Sequence, residues 1–153
     1  NNSNVPLDEF YWRDILPTDA VTLQEIHPGT WNEDLEYKVL YKTNLSQDYR
    51  VLAEGLDTNL DNLIDCKTAA VGLKSGEVIT EFRFEFGTVQ PDFAPVTKPY
   101  IQCLVNPGLP NEYRFRNCTD VGGRRGDEWV IDKDCWTTIV YAVPKGKLPK
   151  TGR

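Results

Sequence analysis

From Val78 to Phe86 the residues alternate, with Val78, Thr80, Phe82, Phe84 and Phe86 on one side and Glu81, Arg83 and Glu85 between them. A period of two belongs to a β-strand with one buried face. Three phenyl rings on that face must be covered, and burying each contributes about 2–3 kcal/mol. A chain built round such a strand therefore needs a second apolar layer. Leu35, Tyr37, Val39 and Tyr41 repeat the pattern, set against Glu36, Lys38 and Lys42. Val21–Ile26, Arg50–Leu56, Trp129–Asp132 and Cys135–Val143 read as further strands, the last with Trp136, Thr138 and Val140 alternating. Turn signals separate them: His27-Pro28-Gly29, Asn44 to Asp48, and Ser75-Gly76. Asn106-Pro107-Gly108-Leu109-Pro110-Asn111 is expected to fold Tyr100–Val105 back on Glu112–Asn117 as a hairpin, with Tyr113 and Phe115 on its apolar face. Gly122-Gly123-Arg124-Arg125-Gly126 reads as a flexible basic loop, and Lys67–Gly72 as one helical turn with Asp65 as its cap. Pro91, Pro95 and Pro99 keep their loop out of a sheet interior. Asn1–Leu7 is polar and expected to fray. Short strands with turns every 8–12 residues or so, and almost no helix, predict an all-β antiparallel sandwich of about seven to nine strands. The sandwich is expected over residues 1–143, with 144–153 an exposed Lys/Pro/Gly linker.

The chain has 153 residues, enough for one domain with a sizeable core. A net charge of −6 argues against nucleic acid, because phosphate binding needs a surplus of Lys and Arg, and it equally disfavours anionic lipid. No apolar run approaches the ~20 residues of a membrane helix, and no signal peptide opens the chain. A mature piece of a longer polypeptide is the expectation. Cys66, Cys103, Cys118 and Cys135 lack the C-x₂₋₄-C spacing of a zinc site. Four cysteines permit two disulfides in three connectivities, or none if they pack as small hydrophobes. Cys103 with Cys118 is the first pair to test, since the two flank the predicted hairpin turn.

Leu148-Pro149-Lys150-Thr151-Gly152 resembles the LPXTG sorting signal of Gram-positive surface proteins. Asp14-Ile15-Leu16-Pro17 is similar to the D-x-L-P element of the Ig-like or prealbumin-like repeats in such proteins. Asn117-Cys118-Thr119-Asp120-Val121 is similar to their N-x-A-x-V element, with Thr119 where Ala is usual. The resemblance implies an Ig-like sandwich outside the cell, fixed to the wall or a pilus by a sortase. It also implies peptidoglycan or a pilus subunit as acceptor and a host glycan or matrix protein as a further partner. Under it, Leu148 and Pro149 are recognised, Lys150 fills the variable position, Thr151 carries the acyl group and the chain leaves from Gly152.

Other residues offer chemistry of different kinds. Asp57-x-Asn59-x-Asp61-x-x-x-Asp65 places oxygens at positions 1, 3, 5 and 9 of an EF-hand-like loop, a candidate calcium site. Asn62 stands where that loop has Gly and Thr68 where it has Glu, and Asp and Asn also build ordinary turns. No other cofactor is expected. Lys38 or Lys42 with Asn117 are the residue types of the isopeptide bond found in related sandwiches, although the lysines alternate like solvent-facing strand residues. Trp12, Trp31, Trp129 and Trp136 can stack on sugars or anchor a protein partner if exposed, and Trp31, beside the Pro28-Gly29 turn, is the one expected on a loop. Arg124-Arg125 offers charge to an acidic partner. His27 is the only histidine and no G-x-S-x-G motif surrounds a serine, so enzymatic activity is not expected. A hydrolase would have to rest on a carboxylate pair that the sequence does not single out.

Overall fold

The Val78–Phe86 pattern forms the centre of the molecule. In a computed structural model, which describes residues 1–141, it becomes a strand between two others in the larger of three sheets. The strands are β1 (Leu7–Ile15), β2 (Val21–His27), β3 (Thr30–Trp31), β4 (Glu36–Thr43), β5 (Ser46–Asp57), β6 (Ile64–Asp65), β7 (Ile79–Val89), β8 (Pro95–Thr97), β9 (Tyr100–Val105), β10 (Tyr113–Arg125) and β11 (Glu128–Val140). One helical turn, α1 (Thr68–Val71), sits between β6 and β7; Asp65 does not cap it, since Lys67 holds the N-cap position without a side-chain bond and Asp65 Oδ1 instead accepts the Lys67 amide in the turn before it. The large sheet runs β11-β10-β1-β7-β4-β5, a second runs β6-β2-β9, and β3 pairs with β8, every pairing antiparallel. Phe82, Phe84 and Phe86 of β7, Tyr37, Val39 and Tyr41 of β4, and Leu23 and Ile26 of β2 belong to one buried cluster, so the two larger sheets form a sandwich. The fold is all-β, as the alternation predicted.

The outer face of the large sheet carries the charged half of the same pattern. Arg13 of β1 donates to both carboxylate oxygens of Asp120 on β10, at 2.9 and 2.5 Å, and lies 3.8 Å from Glu81 of β7. Glu81 in turn meets Lys42 of β4 at 2.9 Å. Alternating sign thus crosses four strands, and the bidentate Arg–Asp pair is its best-formed link.

The chain differs from expectation where long-range partners decide. β9 and β10 do not form a hairpin: β9 pairs with β2, whereas β10 lies between β1 and β11. Asn106 holds the crossing, taking Thr22 Oγ1 at 2.7 Å on its Oδ1 and donating to the Thr18 carbonyl at 2.9 Å. Gly122 and Gly123 are not loop residues but lie inside β10. A Cβ on Gly122 would come within 2.7 Å of the Tyr11 ring, so glycine is what lets that ring lie flat on the strand. Asn1 is not frayed, since its carbonyl accepts the Asp92 amide at 2.8 Å and its side chain caps Ser3.

The disulfide joins Cys118 to Cys135, opposite one another on β10 and β11, and not Cys118 to Cys103. Cys103 lies in the other sheet because the hairpin that would have brought it to Cys118 does not form. Cys66 and Cys103 are free thiols. Cys66 donates its amide to Gln24 on one edge of β2 and Cys103 pairs with Leu23 on the other. Two strand spacings, about 9–10 Å, then separate their backbones, more than a disulfide spans. Thiol titration of the unreduced, denatured protein is therefore expected to find two thiols per chain, where none or four would overturn the pairing. Closing 17 residues, the disulfide is expected to contribute up to about 3 kcal/mol, read as the loss of stability in the Cys118→Ser, Cys135→Ser double variant.

Candidate functional site

Past the pair Lys38–Glu85, β4 and β7 stop pairing, and the outer face of the large sheet opens into a cleft of about 830 Å³. Three irregularities shape it. β1 slips register on both sides around Glu9, which sits at φ 51°, unusual for a residue with a side chain. β7 slips opposite Phe10, where Gly87 has φ 74°, and β5 bulges at Gly55, φ 64°, between Leu56 and Ala53. A Cβ on either glycine would meet nothing within 4 Å, so the positive φ, and not lack of room, is what calls for glycine there. Bulges at one end of three strands bend the sheet away from itself.

One wall is aromatic. Tyr11, laid on Gly122, packs against Trp129 of β11 with ring centroids 6.2 Å apart, and Trp129 remains half exposed. The floor and opposite wall are charged. Glu85 pairs with Lys38 at 3.3 Å and with Arg83, whose guanidinium lies 5.5 Å from the Tyr11 ring centre and 4.4 Å from that of Tyr49. Glu9 pairs with Arg124 at 3.1 Å on the rim. Glu36 and Glu54 line the cleft with no ion-pair partner among the described residues. The arrangement offers a flat apolar surface ringed by fixed donors and acceptors.

The sequence-derived candidates fall elsewhere. Leu148, Pro149, Lys150, Thr151 and Gly152 lie outside the described residues. Trp31 is not on an exposed loop: it is buried, donates Nε1–H to the Pro28 carbonyl at 3.1 Å and stacks on Phe93 at 5.0 Å, so it serves the core. Its neighbours Phe86 and Phe93 supply the apolar contacts that draw the indole inward. The Asp57–Asp65 segment spends its oxygens on turns: Asp57 Oδ1 accepts the Asn59 amide at 2.7 Å, Asn59 Nδ2 donates to Asp34, and Asp65 takes Lys67. Asp61 joins no other carboxylate pair there, since no group of three His, Cys, Asp or Glu converges among the described residues. The calcium loop is a set of Asx turns.

Lys38 and Lys42 point to the outer face, toward Glu85 and Glu81, while Asn117 bonds Asp14 on the inner face with β1 and β7 between. That separation excludes an isopeptide bond between them. Trp12 is half buried against Phe82 and Phe84, and Trp136 is the most exposed of the four tryptophans. Arg124 and Arg125 are tied to Glu9 and Glu128. His27 stacks on Tyr100 at 4.2 Å beside Glu25. Burial pushes the Cys66 thiol up to about 12 and the Cys103 thiol up to about 11, which leaves both unreactive at neutral pH.

The D-x-L-P element has a structural part. Asp14 is buried, Leu16 joins the core, and the Pro17 carbonyl accepts the Ala20 and Val21 amides in the corner leading to β2. No family model, curated protein or solved structure matches the chain. The cleft residues that sequence reasoning missed, Glu9, Tyr11, Glu54, Arg83 and Glu85, come from β1, β5 and β7, and only the exposed Trp129 left a trace in the residue pattern.

Proposed function

We propose that the chain is a non-enzymatic, extracellular Ig-like or prealbumin-like module of a sortase-anchored bacterial surface protein, acting as a stalk, pilin-like or adhesin domain. The motif Leu148-Pro149-Lys150-Thr151-Gly152 carries the reading, and it begins eight positions past Val140, where the last strand of the described residues ends. A sandwich that lies so close in sequence to the motif suits display of a folded module beside its anchoring point. The Cys118–Cys135 disulfide is compatible with an oxidising exterior. In this reading the sortase thiolate attacks the Thr151 carbonyl, the Thr151–Gly152 bond breaks, and an amine of peptidoglycan or of a pilus subunit takes the acyl group. Incubation with a sortase and triglycine is expected to release Gly152-Arg153 and add triglycine at Thr151, read by intact mass. An unchanged mass under conditions that process a control LPXTG substrate would remove the anchoring reading. The second reading, a glycan- or host-protein-binding module for which the motif is incidental, is favoured by the half-exposed Trp129 beside Tyr11 in an open cleft.

A further inference from the structure

We infer that the cleft on the outer face of the large sheet is a binding site for a neutral saccharide, with Trp129 and Tyr11 as its stacking platform. It specifies the second reading and does not depend on the sorting motif, so either can fail alone. Three independent observations converge on it. A volume of about 830 Å³ is in the range of small-ligand sites and holds several sugar rings. The backbone at its rim is held in an unfavourable conformation, Glu9 at φ 51°, and such strain in a side-chain-bearing residue collects at functional sites. A half-exposed indole on an edge strand also leaves apolar surface uncovered, although the core cluster lies in the same molecule.

The chemistry selects the ligand class. Lys38, Arg83 and Glu85 form a ready-made network of opposite charges beside the aromatic wall. A cationic ligand would use Glu36 and Glu54 but meet Lys38 and Arg83. An anionic ligand would meet the reverse arrangement, with more carboxylates than cations lining the space. A polyhydroxylated neutral ring suits both signs at once, because each hydroxyl can donate to a carboxylate and accept from Lys or Arg. Its C–H face lies on the indole and phenol rings, a contact that buries apolar surface without burying charge. Glu54 on the bulge of β5 faces the space with no partner of its own among the ion pairs of the described residues, and so is free to accept from such hydroxyls.

The full chain, labelled at its N-terminus, is applied to a printed array of neutral, N-acetylated and acidic oligosaccharides with an oligolysine peptide alongside, and the strongest signal is then titrated by calorimetry. Trp129→Ala is expected to weaken that affinity about tenfold or more and Glu54→Gln by several-fold, with melting temperature unchanged within a few degrees. Trp136→Ala, on the same strand but the opposite face, is expected to leave it unchanged. An array with no neutral glycan bound, a preference for an oligolysine peptide or an acidic glycan, or binding equal in Trp129→Ala and wild type would each overturn the assignment.

Discussion

Replacing Phe84 by alanine is expected to lower the free energy of unfolding by about 3–5 kcal/mol. The ring is fully buried at the midpoint of β7. Its centroid lies 5.0 Å from Trp12, 5.8 Å from Phe82, 6.0 Å from Tyr37 and 6.2 Å from Phe86, so four aromatic neighbours on three strands lose a contact at once. Such rings do not collapse into the space left behind, because each is fixed by its own strand, and the cavity cost adds to the lost transfer energy. Domains of this size are stable by about 5–15 kcal/mol, so the variant should retain a fold with a much earlier urea midpoint. Thr80→Ala on the same strand, half buried near its start, provides the comparison and should cost about 1 kcal/mol or less. A Phe84→Ala midpoint within the range of the Thr80→Ala variant would mean that the two sheets do not close over β7 as described.

Phe84 also shows what was legible in the sequence. A period of two over nine residues names the buried face, and every ring it named is buried, because side-chain direction in a strand is a local property. Which strand lies beside which is not local. Asn106-Pro107-Gly108 signals a turn, but nothing in those residues reports that Asn106 bonds Thr18 and Thr22 far away, and so the turn signal points β9 to the wrong neighbour and puts Cys103 with Cys118 first among the pairs to test. Glycine has the same ambiguity. Gly122-Gly123 reads as flexibility until Tyr11 and Leu7 are seen pressed on it from opposite faces. The cleft was hidden for a third reason. Its shape comes from register slips at Glu9, Gly55 and Gly87, and a glutamate at positive φ leaves no mark in composition or periodicity. The turn-rich flank of Trp31 suggests a loop position, but it fixes the backbone and not the direction of an indole with Phe86 and Phe93 beside it.

Asp14 is a carboxylate whose charge the fold holds unwillingly, and Asp14→Asn is expected to stabilise the protein at pH 7 by up to roughly 3 kcal/mol. The carboxyl faces the interior between the sheets, 3% exposed. Burial pushes it up to about 6, and the Asn117 Nδ2–H bond at 3.1 Å pulls only part of the way back. Among the described residues its Oδ1 has no partner, and neither has Asn117 Oδ1, so both lack a donor that a proton on Asp14 would supply. The groups that face it from the opposite sheet do not help, since Cys103 on β9 is a neutral thiol pushed up to about 11. The folded state therefore keeps a proton that the unfolded chain releases near the ordinary value of 3.8. Between about pH 4 and pH 6 the native protein binds more protons than the unfolded one, so stability falls as pH rises through that window and is level above it. Glu77 acts in a separate window: the Lys74 amide, the Thr43 hydroxyl and Arg50 hold its carboxyl at about 2, and its stabilising effect is lost only as pH falls toward that value. Thermal melts of both proteins at pH 4, 5, 6 and 7 should thus diverge as pH rises, wild type losing several degrees that Asp14→Asn keeps. Parallel profiles would mean that water reaches Asp14 in the native state, and a sandwich whose inner face admits water beside Cys103 would not have β9 sealed against β1.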